Sequence, residues 1–532
     1  MMAAAAAAMY PLVGSAAPAP APAPAAGSLA DIEHVVLFMQ ENRAFDHYFG
    51  TLAGVRGFSD PNVQVNPNGR PVWQQPRRSN NETNLTDASS FLEPWYVNYL
   101  DGDWLEATQC MVAGDNGWAS NHAAYAGGRN DGWAAHNTPW SWSHFRRRDI
   151  PLQFAVADGW TVADMYQESV VASTNPNRVA WVSGSINAPG SPGQPRGRDE
   201  GGYPYIDNNE TPGCDDLGIN CYPLRWRTAA EIYQSRNVSW QVYQDADNFD
   251  DNPFAWFAQF QDADAGSELY RRGIAGLDLA AFEAQAANGT LPTISYIVGP
   301  AELSEHPPYS PRDGAWLQKR IVDAVTSSPA YNRTALLISY DETGGFGDHV
   351  APYHAPWEKD GGAAGEWLAD DPFEPGLGPT LTGPGFRLPF YIVSPWTRGG
   401  AVFTEHADHN SQLLFVEAWQ RARGVDVATD QMVPWRRAHM SDLVAAFDFT
   451  HPDYSVPVLP EVPEPHRMRT ATSTARRTAR PNLQSGGRRY HRLLLAGWFL
   501  HSVNQGFDPP GLSHRRSLAN LREGRQGADT SR

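Results

Sequence analysis

Glu41 and Asn42 directly follow the apolar run IEHVVLFMQ, and Asp341 and Glu342 directly follow TALLISY. Carboxylates and amides are hard oxygen donors. If the two runs are neighbouring strands, four such side chains converge on one rim, in the outline of a divalent-cation site. Either pair taken alone would do no more than cap a strand end. Further along, Ser173-Thr174-Asn175-Pro176-Asn177-Arg178 places a hydroxyl in a turn opened by Asn-Pro. Beside a cation, such a hydroxyl ionises near neutral pH and attacks phosphorus. Three histidines, His122, His306 and His349, lie in polar, turn-rich loops, and His349 is seven residues past Glu342. An imidazole there can protonate a leaving oxygen or offset phosphoryl charge.

The elements that must position these groups are read from hydrophobic patterning. Short apolar runs with β-branched residues at 32–39, 152–156, 293–298, 334–340 and 388–393 predict buried strands, and 313–326 and 411–423 predict helices. Such alternation predicts an α/β fold with parallel strands, in which ligands gather beyond the carboxyl ends of the strands. Both acidic pairs stand at such ends. Stretches around 60–120 and 186–225, rich in Gly, Pro, Asn and Trp, read as long loops or small β excursions.

The 532 residues include 59 acidic and 41 basic side chains, a formal charge of −18, which argues against nucleic acid as a partner. The balance is uneven. Residues 466–532 hold 13 Arg and three acids, a charge of +10, which leaves −28 on the rest. With 41% hydrophobic residues the chain can bury a large core, and a disordered scaffold is excluded. Composition divides it into an Ala/Pro-rich leader or linker at 1–29, a catalytic domain at 30–455 and an Arg-rich tail at 456–532, for which no fixed structure is expected. No apolar run approaches the roughly 20 residues of a transmembrane segment, so membrane contact is expected to be peripheral. Cys214 and Cys221 are spaced as a local clip would be, with Cys110 left over. Six Asn-x-Ser/Thr sequons, at Asn81, Asn84, Asn209, Asn237, Asn288 and Asn332, suit a secreted or cell-surface protein, although the N-terminus lacks the basic start of a signal peptide.

Six ordered blocks, IEHVVLFMQENRAFDHYFGTLAGVRGFSDP, RRRDIPLQFAVADGWTVADMY, STNPNR, SEHPPYSPRDGAWL, LISYDETGGFGDHV and LPFYIVSPWTRGG, resemble the non-specific phospholipase C family of bacteria, fungi and plants. That family includes a bacterial acid phosphatase and sits in the alkaline phosphatase-like superfamily. The resemblance implies an alkaline phosphatase-like core sheet flanked by helices. It also implies a phosphodiesterase that releases diacylglycerol and a phosphorylated head group from phospholipid. Position by position, it implies one divalent ion (Ca, Mg, Mn or Zn) held by Glu41, Asn42, Thr174, Asp341 and Glu342. Thr174 would then be the nucleophile of a phosphoenzyme route, and His122, His306 and His349 active-site histidines. Asn175 stands where the family usually has Asp, a change that keeps the turn, and Ser173 is a second hydroxyl beside Thr174. The same groups would serve an acid phosphatase acting on phosphomonoesters. A non-catalytic lipid-binding protein is the alternative of another class. Trp133, Trp140 and Trp142 read either as a cage for a choline head group or as core aromatics.

Overall fold

The computed structural model describes residues 27–77, 90–98, 114–192, 202, 206–209, 223–358 and 364–465. Most of the Ala/Pro-rich leader, the tail from 466 and all three cysteines lie outside the described residues. Seven strands form the central sheet: β1 (His34–Gln40), β2 (Thr161–Ala163), β3 (Trp240–Gln244), β4 (Ile294–Val298), β5 (Thr334–Tyr340), β6 (Phe390–Val393) and β7 (Val402–Phe403). Their order is β7-β2-β6-β5-β1-β4-β3. The central pair, β1 and β5, reads HVVLFMQ and TALLISY, and all of these residues but His34 are buried. Side chains alternate across a strand, so burial at successive positions means that both faces of the sheet are covered.

The helices that matter for the site are α1 (Phe45–Phe49), α2 (Trp118–Tyr125), α3 (Pro151–Gly159), α4 (Thr174–Ser183), α5 (Leu279–Asn288), α6 (Pro311–Thr326) and α7 (His409–Ala422). Their ends follow from local chemistry. Pro311 opens α6 behind Ser310, whose hydroxyl accepts from the Asp313 amide. Asp408 caps α7 by accepting from the Ser411 amide. Gly184, at φ 90°, ends α4 in the left-handed conformation that glycine adopts without strain.

The expected α/β class is met, with two differences. Residues 152–156, expected as a strand, lie inside α3. A short, almost wholly buried apolar run carries no period that separates strand from helix, and Pro151 at the first helical position decides for the helix. The sheet is also not wholly parallel, because β6 runs antiparallel to both β5 and β2. A single reversed strand is common in large α/β sheets. Within the stretch around 60–120, a two-stranded ribbon of Gln75–Pro76 with Phe91–Leu92 is one of the expected β excursions; a second ribbon, Trp367–Leu368 with Thr380–Leu381, lies outside the expected stretches. Among the described residues no helix is long and apolar enough to cross a membrane.

β1 and β5 are neighbours, parallel and in register from His34 opposite Thr334 to Gln40 opposite Tyr340. Glu41 and Asp341 therefore leave the sheet side by side.

Candidate active site

At this rim the chain is tightly folded. Asn42 has a left-handed backbone at φ 56°, and Gly344, at φ 67°, lies so close that a Cβ there would sit 2.3 Å from the Asn42 carbonyl oxygen. Asp341 Oδ1 accepts from the amides of Asn42 at 3.0 Å and Glu342 at 2.8 Å, which turns Oδ2 toward Arg178 Nε at 3.3 Å. Glu342 Oε1 accepts from Asn116 Nδ2 at 2.5 Å and Oε2 from the Gly344 amide at 2.7 Å.

Arg178 comes from α4. Thr174 is the first residue of that helix and Arg178 lies one turn on, so the two share a face. The Arg178 guanidinium pairs with Glu41, with Asp341 and, at 3.4 Å, with Asp251. Ser173, just before the helix, is committed elsewhere: its hydroxyl donates to Asn208 Oδ1 at 2.6 Å and accepts from the Asn208 amide at 3.2 Å. Asn208 Oδ1 also accepts from the Asn175 amide, and Asp207 from the Ser173 amide. Thr174 is 5% exposed and therefore available only to a group inside the site. Ser173→Ala is expected to keep most turnover while losing about 2 kcal/mol of stability to urea, the worth of two ordinary hydrogen bonds. Loss of turnover on the scale of a missing nucleophile would transfer that role to Ser173.

The electrostatics are those of an acid cluster short of positive charge. Burial and the charge of Glu41 push Asp341 up to about 7. Burial and Asp341 push Glu342 well above the carboxylate range, and burial does the same to Asp251 against the pull of Arg178. Glu41 is the exception, because Arg178 and Asp251 together outweigh its burial and hold it low. Glu41 Oε2 and Asn42 Oδ1 are buried without a hydrogen-bond partner. Buried acceptors lacking donors, beside acids that raise one another's pKa, suit an oxygen-ligated cation. The donor set therefore fits the divalent ion expected at Glu41, Asn42, Asp341 and Glu342.

The three histidines have separate settings. His306 donates from Nδ1 to the Pro307 carbonyl at 2.6 Å, which leaves Nε2 as the free nitrogen of the neutral ring; burial lowers its pKa, and Glu41 is close enough to oppose that. His349 is gripped by two acids, Nδ1 to Asp46 Oδ2 at 2.6 Å and Nε2 to Asp60 Oδ2 at 3.4 Å, and its ring packs on Trp73 at 4.2 Å. Asp46, Asp348 and His349 bring one ligand atom each within 4.8 Å of one another, a buried group able to hold a metal ion. Arg387 already donates to both oxygens of Asp348, at 2.8 and 3.0 Å, and to Asp46 at 3.1 Å. His122, on α2, has Nδ1 facing the Trp118 carbonyl and Nε2 facing the Leu381 carbonyl, both at 2.7 Å; the neutral ring donates to one of them, and its other nitrogen is covered by the second.

Of the tryptophans, Trp133 is wholly buried against Phe386 and Trp142 is buried with its indole N–H on the Trp73 carbonyl. Trp140, half-buried, packs on Trp95. Arg178, Asp251 and Asn208 were not singled out in the sequence as site residues. Arg178 had a signal, its spacing of four from Thr174; Asp251 and Asn208 had none beyond their polarity.

The sequence pattern of the Phosphoesterase family matches residues 32–420. Among curated proteins, a non-hemolytic phospholipase C of Burkholderia pseudomallei is 35% identical over 490 residues, covering 86% of this chain and 65% of its own. A non-hemolytic phospholipase C of Pseudomonas aeruginosa is 36% identical over 479 residues, covering 87% and 63%. The chain thus spans less than two thirds of the length of either relative. A solved structure of an alkaline phosphatase superfamily protein from Vibrio parahaemolyticus aligns over 55% of this chain and 63% of its own, with 11% identity and a TM-score of 0.30.

Proposed function

The chain belongs to the Phosphoesterase family, and on that premise we propose that it is a phospholipase C-type phosphodiesterase with Thr174 as its nucleophile. The observation that carries this reading is the in-register pairing of β1 with β5, which sets Glu41 and Asp341 side by side. Glu41, Asn42, Asp341 and Glu342, with the Thr174 oxygen, would hold the divalent ion, and all-oxygen ligation favours Ca, Mg or Mn over Zn. Such an ion, when bound, lowers the pKa of the Thr174 hydroxyl and offsets phosphoryl charge. The alternative group, Asp46, Asp348 and His349, is the poorer host because every oxygen of its two carboxylates already accepts a hydrogen bond, whereas Glu41 Oε2 and Asn42 Oδ1 accept none.

The reaction then runs in two displacements. Thr174 Oγ1, deprotonated, forms a bond to phosphorus as the bond from phosphorus to the glycerol oxygen breaks. A histidine gives its proton to that oxygen, and diacylglycerol leaves. Water next attacks the phosphorus of the Thr174–phosphoryl–head-group diester and gives a proton to the histidine, and the bond from phosphorus to Thr174 Oγ1 breaks, freeing the phosphorylated head group and restoring Thr174. His306 and His349 are the two candidates for that proton. His122 is set aside, since both of its nitrogens face carbonyls. Arg178 keeps Glu41 and Asp341 apart in charge and oriented toward the rim.

Phospholipid at a membrane surface is the proposed substrate, met by peripheral contact. Secretion or cell-surface placement is supported by the exposure of the sequon asparagines Asn209, Asn237, Asn288 and Asn332. The test compares diacylglycerol release from phosphatidylcholine with phosphate release from p-nitrophenyl phosphate. We expect kcat/KM for the diester to exceed that for the monoester by about tenfold or more, equivalent to about 1.4 kcal/mol. The opposite ranking would make the protein a phosphomonoesterase.

A further inference from the structure

A buried chain of hydrogen bonds joins the helix that carries Thr174 to the loop that carries Asp341. Trp181, on α4, donates from its indole N–H to Gln412 Oε1 at 2.9 Å. Gln412 Nε2 donates to the Tyr166 hydroxyl at 2.6 Å. That hydroxyl meets His409 Nδ1 at 2.8 Å, and His409 Nε2 meets the Asp341 carbonyl at 2.7 Å. None of the four side chains is more than 1% exposed.

Every link has a fixed direction. An indole nitrogen only donates, which orients the Gln412 amide; a carbonyl only accepts, which places the His409 proton on Nε2. His409 Nδ1 must then accept, so the Tyr166 hydroxyl donates to it. The Tyr166 ring stacks on Phe390 of β6 at 4.1 Å and 8°, which fixes the middle of the chain to the sheet. His409 and Gln412 lie on the first turn of α7, whose Asp408 cap is held by Arg436 at 2.7 Å. Three separate elements, α4, β6 and α7, thus converge on one backbone oxygen, the carbonyl of Asp341.

The Asp341 carbonyl is buried and needs a partner, but any single donor would meet that need. What the chain adds is direction. It fixes the peptide that follows Asp341, and with it the angle at which Asp341 and Glu342 leave β5 relative to Thr174 and Arg178. We propose that His409 is a positioning residue: through its Nε2–H on the Asp341 carbonyl, oriented by Tyr166, Gln412 and Trp181, it sets the cation-binding carboxylates against the nucleophile helix. This rests on the reading of Asp341 as a cation ligand.

The test titrates Mn2+ into chelator-treated full-length protein by calorimetry and follows phosphodiester turnover in parallel. Partners of ligating groups typically govern 10- to 100-fold in metal affinity. His409→Leu is expected to weaken Mn2+ binding by that factor. His409→Gln, which keeps a donor where Nε2 stood, is expected to stay within about threefold of the parent. Tyr166→Phe preserves volume and removes only the hydroxyl that links His409 to Gln412, so it serves if His409→Leu fails to fold, and is expected to weaken binding by several-fold. Mn2+ affinity and turnover unchanged in Tyr166→Phe and in folded His409→Leu would overturn the proposal. Asp341→Asn separates the two levels. If it weakens Mn2+ binding while the His409 and Tyr166 variants do not, the inference alone fails; if it too leaves binding intact, the ligand assignment fails and takes the inference with it.

Discussion

Thr174→Ala is expected to lower turnover of phosphodiester and phosphomonoester alike by about four orders of magnitude, or about 5.5 kcal/mol of activation free energy. The size follows from chemistry. Removing a nucleophile removes the bond that forms in the first displacement, and its neighbours have nothing equivalent to offer. Ser173 is adjacent in sequence, but its hydroxyl is occupied by Asn208 on both its donor and acceptor sides. Thr174→Ser keeps the oxygen at the same helical position and is expected to remain within about tenfold of the parent. Because Thr174 begins a helix rather than filling the core, stability to urea should change by no more than about 1 kcal/mol. Rates measured against that control separate lost chemistry from lost folding.

Chelation is the second large effect. Stripping divalent ions should abolish turnover, and adding back Ca2+, Mg2+ or Mn2+ should restore it with one of the three. Asp341→Asn should mimic most of the loss, about 10³-fold, equivalent to about 4 kcal/mol. The variant retains an oxygen for the Asn42 and Glu342 amides but turns an N–H₂ toward Arg178 where a carboxylate oxygen stood. A buried guanidinium deprived of one partner also costs stability, about 3–5 kcal/mol. Asp348→Asn is the informative counterpart. It breaks the pair with Arg387 and so also destabilises, but it should leave ion affinity in place. If affinity vanished in Asp348→Asn and survived in Asp341→Asn, the ion would belong to Asp46, Asp348 and His349.

What could be read from the sequence was local. The runs at 32–39 and 334–340 are continuous and apolar because the sheet covers them on both faces, and the acids that follow stand out because polarity changes abruptly at Glu41 and Asp341. That the two runs are neighbours is a long-range fact. It entered only as a condition, or through the family resemblance. The same run-based reading failed at 152–156, where five mostly buried residues of a nine-residue helix imitate a strand.

The three histidines differ only in the fold. His122 and His306 sit in equally polar, turn-rich sequence, yet α2 lays the His122 ring on Trp118 at 4.1 Å and turns both its nitrogens to carbonyls. His306 keeps one nitrogen free and lies within the field of Glu41. Composition cannot distinguish these, because the partners come from distant segments. Asp251, Asn208 and His409 were invisible for the same reason: each has a role only once the fold has brought Glu41, Ser173 or Asp341 to it.

The most direct measurement is to quench the enzyme in acid during turnover of phosphatidylcholine labelled with 32P in its phosphate, digest it, and locate the protein-bound phosphate. The 32P label on Thr174, carried as its phosphocholine diester, is the expected result. Label on Ser173, or on any residue other than Thr174, contradicts the proposed route.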